Sequence, residues 1–375
     1  MKTRNTGLRR TVIAVASSAT ALTALTGCGM GAFGGSSSSA SATKGDDITV
    51  GLLLPEKANT RYEKFDYPII REQVQKLTEK KGDVLYLNAE QDAAKQLRQM
   101  QQMIDDKVDV ILVDAVDSVT IAKGVRKAKE AGIPVIAYDR LAQGPIDAYI
   151  SFDNELVGET QGKALVAALG TNSASKKIIM MNGSVTDPNA AQFKSGAKSE
   201  LEDKVIIAAQ YDTKDWNPVN AKANMEKSIQ AVGLSNIAGV YAANDGIAGA
   251  VIDAFKAAGV SKVPPVTGQD SELIAVQRII KGDQYMSVYK SYPQEANAAA
   301  EMAVARVQGR SIEFDALTRD KVSSPTNKDI PSQLVPVVAL TKDNIQDTVV
   351  QDGIYAVNKI CTAPYKSLCN SLGIK

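Results

Sequence analysis

From Ile48 to about residue 308 the chain alternates short apolar runs with amphipathic stretches of helical length, and nothing else in the sequence constrains the fold so tightly. The runs ITVGLLL (48–54), DVLYLN (83–88), VDVILVDA (108–115), PVIAYD (134–139) and AYISFD (148–153) read as buried strands. Between them, 67–81, a segment around 93–104 and 118–131 read as helices, with Ala93, Leu97, Met100 and Ile104 on one face. The pattern then starts afresh. Helices over 155–169, 189–202, 217–232, 246–258, 271–281 and 293–308 alternate with strands KIIMMN (177–182), VIIAAQYD (205–212), IAGVYAAN (237–244), PPVTGQD (264–270) and QYMSVYK (284–290). Strands alternating with helices of this length demand parallel sheets covered on both faces. Two successive series predict two similar α/β domains, each a doubly wound parallel sheet, and 375 residues are ample for both.

Strand after strand in this pattern ends in hydrogen-bonding groups: Asp139-Arg140, Asp153-Asn154, Asp212, Asn244-Asp245, Gln269-Asp270 and Tyr289-Lys290. A single Asp at such a place is ordinarily a helix N-cap. Six endings over both series, with Arg, Lys and amides among them, exceed what capping needs. Ligands of open α/β sheets bind beyond the carboxyl ends of the strands, so these groups are expected to line one cleft. Carboxylates accept two hydrogen bonds, guanidinium forks donate two and amides do both, an inventory suited to vicinal hydroxyls. The only tryptophan, Trp216, follows a strand end in the polar stretch YDTKDWNP and is placed to cover the apolar face of a sugar ring.

The first 27 residues hold Lys2, Arg4, Arg9 and Arg10, no acid, and the 16-residue apolar stretch TVIAVASSATALTALT. That is too short to span a bilayer and has the layout of a signal peptide. It closes on Leu25-Thr26-Gly27-Cys28, which resembles a bacterial lipobox and marks Cys28 for lipidation, while Arg9-Arg10 leaves a twin-arginine route open. The Gly/Ser-rich stretch over 28–47 reads as a tether. An exported chain meets oxidising surroundings, so Cys361 and Cys369 are expected to pair and pin the C-terminal tail.

Composition removes several functions. The chain has no histidine, which excludes Ser-His and Cys-His catalysis and His-based metal sites. Without the four leader cations, 39 Lys+Arg face 42 Asp+Glu, so no basic surface points to nucleic acid. GETQGKA (158–164) misses a phosphate loop by one residue and its Ser/Thr. Paired carboxylates could serve a glycosidase, but here they come with hydroxyl-binding partners. No catalytic residue, metal or cofactor is expected.

Taken together, VIAYDRL, YISFDNELVGE, AANDG, VTGQD, SVYK and IPSQLV resemble the sugar-binding lipoproteins of bacterial ABC importers, periplasmic binding proteins of type 1, and the xylose-binding branch above all. The resemblance runs from about Ile48 to Gly353. It implies lobes of 48–153 with 291–324 and 154–290 with 325–375, joined by a three-segment hinge. It implies sugar contacts from Arg61, Tyr62, Asp139, Arg140, Asn154, Asn189, Trp216, Asn244, Asp270 and Lys290; Tyr62 stands where the family usually has Trp. It implies a monomer on the outer face of the membrane that closes on D-xylose, or a related aldopentose or aldohexose, and delivers it to ABC permease subunits. A sugar receptor feeding a sensor kinase or chemoreceptor is the alternative.

Overall fold

The computed structural model describes residues 44–57 and 59–375. The expected signal peptide, Cys28 and the tether as far as residue 43 lie outside them. Residues 44–47, also assigned to the tether, instead belong to the folded body: Lys44 pairs with Asp109 at 2.7 Å, and Asp46 takes Lys81 at 2.9 Å and Gln308 at 3.0 Å. Among the described residues no helix is long and apolar enough to cross a membrane.

In chain order the first series is β1 (Thr49–Leu54), α1 (Tyr67–Leu77), β2 (Asp83–Asn88), α2 (Ala93–Asp105), β3 (Val110–Val113), α3 (Ala122–Glu130), β4 (Val135–Tyr138) and β5 (Ala148–Phe152). The second is α4 (Asn154–Leu169), β6 (Lys177–Asn182), α5 (Pro188–Leu201), β7 (Ile206–Asp212), α6 (Pro218–Val232), β8 (Ile237–Ala242), α7 (Asp245–Ala257), α8 (Leu273–Lys281) and β9 (Ser287–Lys290). Then come α9 (Tyr292–Val307), α10 (Ser311–Leu317), β10 (Asp320–Val322), β11 (Ile330–Val335), β12 (Val337–Leu340), α11 (Val357–Ile360) and α12 (Lys366–Ser371).

The first sheet has the order β10-β11-β5-β4-β3-β1-β2, parallel except at β10. Its strands are buried on both sides, as a doubly wound sheet requires. Val50, Leu52 and Ile136 pack against Ile70 and Val74 of α1 and the alanines of α9; Leu53, Ile111 and Val135 pack against Met100 of α2 and Val125 of α3. The second sheet runs β7-β6-β8, and β9 pairs antiparallel with β12. The run 264–270, expected as a strand, makes only two isolated bridges, Val240 to Val266 and Gln269 to Val288. Pro264 and Pro265 carry no N–H to continue a ladder.

Two further expectations change. The buried face of α2 is Gln96, Gln99, Met100 and Met103 rather than Ala93, Leu97, Met100 and Ile104. Both glutamines are buried because they satisfy strand-end backbone: Gln96 bonds the carbonyl of Asp114 and the amide of Val116, and Gln99 the carbonyl of Asn88. The chain passes between the sheets after β5, after β9 and between β11 and β12. The third passage therefore lies at Pro336 and not near residue 325, because β11 pairs in register with β5 while β12 pairs with β9. Helices α4 and α5 cross at a glycine pair: a Cβ on Gly158 would lie 2.0 Å from the Phe193 carbonyl oxygen, and one on Gly196 2.0 Å from that of Glu155.

Candidate functional site

Two strand-end acids are held in backbone that L-residues seldom adopt. Asp139 has φ 57° and Asp270 has φ 91°. Such strain persists only where the surroundings over-determine it. The Asp139 carbonyl accepts from the hydroxyls of Tyr149 (2.8 Å) and Ser151 (2.7 Å) and from the Asn189 amide (3.1 Å), while its own amide bonds Ile150. The amide of Asp270 donates to Val288, and its carbonyl takes the hydroxyl of Tyr292. The turns aim both carboxylates into one cavity between the sheets.

On the first-sheet side the organiser is Arg61, only 2% exposed. It stands just before a π-helical turn, Tyr62–Asp66, and is ringed by three carboxylates: Asp66 (2.8 Å), Asp139 (2.6 Å) and Glu295 (2.5 Å). Tyr138 donates to Asp66 at 2.7 Å, and the guanidinium lies over the Tyr292 ring at 4.5 Å. Three anions on one cation cannot all be ionised cheaply in a buried site. Burial, with Asp139 and Asp66 nearby, pushes the Glu295 carboxyl well up. Burial acts on Asp139 in the same sense, but Arg61, Lys290 and Arg140 outweigh it and hold this carboxyl below its ordinary value. Asp139 is thus held in its ionised form.

Arg140 reaches across to the second-sheet side. Its Nε meets Asp187 at 3.0 Å and Asp114 at 3.4 Å, and it donates to the Ala115 carbonyl at 3.2 Å. Burial pushes both Asp114 and Asp187 up against the pull of Arg140. Asp187 also caps α5 through the Asn189 amide and accepts from the Trp216 indole N–H at 3.1 Å. Asp215 and Trp216 both have φ 55°, so a strained turn presents the indole. The ring lies flat on Gly183, where a Cβ would come within 2.1 Å of it, and Phe193 meets it edge-on at 6.3 Å. At the passage from β9 to α9, Lys290 pairs with Asp270 at 2.8 Å and lies over the Phe152 ring at 5.1 Å. Burial would lower the Lys290 ammonium, but Asp270 and Asp139 raise it. Asn59 donates to the other Asp270 oxygen at 3.2 Å.

Of the ten expected site residues, Arg61, Tyr62, Asp139, Arg140, Asn189, Trp216, Asn244, Asp270 and Lys290 line this cavity. Asn154 does not; it is buried at the start of α4 with its Nδ2 3.5 Å from the Ser151 hydroxyl. Capping and lining prove compatible, since Asn244 caps α7 through the Ile247 amide while facing the cavity. Asp153 only caps α4, and Asp212 pairs with Lys194 at the surface. Gln269, expected from its strand end, lines the cavity as well, and Glu56, Asn59, Asp187 and Phe193 line it without having been expected. Glu56 and Asn59 follow β1 and were within reach of the strand-end rule; Asp187 was hidden by its capping role and Phe193 by its apolar character. Among the described residues no acid or cysteine cluster is arranged to hold a metal. Cys361 and Cys369 form a disulfide away from the cavity. The arrangement offers paired charges, amides and one aromatic face, equipment for holding a small polyol.

Residues 50–311 match the family model described as a periplasmic binding protein domain. The chain is 33% identical over 325 residues to the D-xylose-binding periplasmic protein of Escherichia coli, covering 85% of this chain and 94% of that protein. It is 30% identical to the multiple sugar-binding periplasmic receptor ChvE of Rhizobium radiobacter, covering 86% and 94%. Among solved structures, a carbohydrate transporter solute-binding protein of Chloroflexus aurantiacus in complex with D-glucose shares 27% identity with a TM-score of 0.73, covering 83% of this chain and 98% of that one. An ABC transporter solute-binding protein of Clostridium phytofermentans shares the fold with a TM-score of 0.77 at 24% identity, covering 83% and 99%.

Proposed function

The chain belongs to the periplasmic binding protein family, and on that premise we propose that it captures a monosaccharide between its two lobes for an ABC importer. The family is one of transport receptors and not of enzymes. The xylose-binding relative supports D-xylose or a related aldopentose or aldohexose as the ligand. The observation that carries the reading is the pair of strained strand-end acids, Asp139 and Asp270, aimed with Arg140, Lys290 and Trp216 into one cavity between the sheets.

In this reading Asp139, Arg140, Asn189, Asn244, Asp270 and Lys290 exchange hydrogen bonds with ring hydroxyls, and Trp216 covers the C–H face opposite Tyr62. Both lobes contribute, so full contact exists only when they are closed, and the sugar shifts a hinge equilibrium by its differential affinity. The closed form is the one the permease receives. Cys28, after a 16-residue apolar stretch, supports a lipid anchor that holds a monomer at the outer face of the membrane.

Trp216 is the only tryptophan, so fluorescence excited selectively at the indole reports this site. Titration with D-xylose, D-glucose, D-galactose, L-arabinose and D-ribose should give a saturable change with at least one aldose. If none alters the emission and calorimetry detects no binding, the proposal is wrong.

A further inference from the structure

Beyond Leu340 the chain continues as a segment, 341–375, that belongs to neither sheet. Its apolar side chains, Ile345, Val349, Ile354 and Ile360 among them, bury against Val276 and Ile279 of α8. Polar ties add to this: Tyr289 of β9 donates to Asp352 at 2.6 Å, and Gln277 of α8 donates to the carbonyls of Lys359 (3.1 Å) and Ile360 (3.2 Å). The Cys361–Cys369 disulfide closes its last loop. These anchors all lie on the second-sheet side.

One contact leaves that side. The Tyr355 ring meets Phe65 edge-on at 5.9 Å, and Phe65 stacks in turn on Tyr292 at 5.6 Å. Phe65 sits on the π-helical turn that begins immediately after Arg61 and includes Tyr62. Tyr355 packs on the same apolar cluster as Leu273, the first residue of α8. Tyr355 is therefore fixed from behind and presses on the turn that carries two cavity residues from the opposite side.

We propose that residues 341–375 form a brace between the lobes, in which Tyr355 is a positioning residue that holds the Arg61–Tyr62 turn over the cavity through Phe65. The proposal rests on the cleft being the sugar site. The contact exists only while the two sheets keep this disposition, so it stabilises the closed form and not the open one. A contact of that kind slows dissociation and leaves association nearly unchanged. No residue of the brace touches the cavity; its effect on the ligand passes through Phe65.

The test uses the full chain with Tyr355→Ala and, as the conservative control, Tyr355→Phe, which keeps the ring. Stopped-flow fluorescence of Trp216 with D-xylose and with D-glucose should show dissociation faster by about 3–10-fold in Tyr355→Ala, from the loss of one aromatic pair. Association should stay within about twofold, and Tyr355→Phe should match the wild type. Hydrogen exchange of the sugar-free proteins provides a second measurement that needs no ligand. Amides of residues 60–67 should exchange faster in Tyr355→Ala, while those of β1 and α8 stay as they are. Phe65→Leu removes the same contact from the other side and serves if the alanine variant does not fold. Unchanged exchange over 60–67, or loosening spread equally through α8, overturns the brace. If the wild type binds neither sugar while exchange at 60–67 responds as expected, the brace stands and the sugar reading falls.

Discussion

Asp139→Asn separates the proposed hold on a sugar from the hold on the fold. Asparagine tolerates φ 57°, where alanine would add strain of its own, so the change removes the charge and turns one of two acceptors, facing Arg61 or Asn189, into a donor. Arg61 would lose its 2.6 Å partner but keep Asp66 at 2.8 Å and Glu295 at 2.5 Å, so no unpaired cation is left buried. The Asp139 charge is one reason the Glu295 carboxyl is pushed up; its removal lets Glu295 ionise more readily and replace the lost anion. The fold should therefore lose about 1–2 kcal/mol, less than the 3–5 kcal/mol typical of orphaning a buried charge, and Tm should drop by about 2–6 °C. A hydrogen bond from a sugar hydroxyl to the carboxylate is worth about 1.5–3 kcal/mol, so the affinity should fall by about 10–150-fold. Calorimetric Kd and a thermal melt on the same preparation measure the two numbers. A change in Kd below about tenfold, or 1.4 kcal/mol, with an intact fold would remove Asp139 from the site. A Tm lowered by more than about 10 °C would refute the compensation by Glu295.

Gly183→Ala places a Cβ 2.1 Å from the Trp216 ring, so the indole must lift; sugar affinity should fall by about 3–10-fold with a shifted Trp216 emission and nearly unchanged Tm. Gly196→Ala meets the Glu155 carbonyl oxygen at 2.0 Å where α4 and α5 cross, and should cost about 2–3 kcal/mol of stability by denaturant titration; a loss under about 0.5 kcal/mol would show that the helices separate freely. Burial, with Asp245 and Asp270 nearby, raises the Glu272 carboxyl from 4.5 to about 8, so the folded state holds a proton the unfolded chain has released. Its contribution is then complete below pH 4.5 and lost as the pH rises to 8; Glu272→Gln should flatten the decline of Tm over that window, and equal slopes in the two proteins would contradict it.

The alternation of strands and helices was legible because parallel strands buried on both faces leave apolar runs that few other architectures need. It misled where polar side chains do core work. Gln96 and Gln99 break the expected face of α2, yet both are buried, since strand-end backbone supplies their partners. It misled again at 264–270, where β-forming residues follow two prolines that cannot join a ladder. For the site, the strand-end rule located Asp139, Arg140, Asn244, Asp270 and Lys290, all of which line one cavity. The same rule also returned Asp153 and Asp212, which face elsewhere, because direction depends on the backbone turn after the strand. No local pattern signals the φ of 57° at Asp139 or 91° at Asp270; both are imposed by hydrogen bonds from residues distant in sequence.

In the proposed reading, closure and capture draw on the same atoms. Arg140 meets Asp187 at 3.0 Å, Asn189 meets the Asp139 carboxylate at 3.0 Å and Asn59 meets Asp270 at 3.2 Å, each pair with one partner on either side of the cavity. Opening the cleft would surrender all three to water, at a net cost of about 1.5–3 kcal/mol for each bond to a charged group. A hydroxyl that bonds both members of such a pair replaces the direct bond and adds its own, so it favours the closed form only by the difference. The chain passages lie beside these groups: Lys290 ends β9 at the second, and Asn154 opens α4 at the first. A rotation there re-aims cavity side chains by small displacements. Hinge and site are thereby one structure, and ligand selectivity must appear in the opening rate as well as in the affinity.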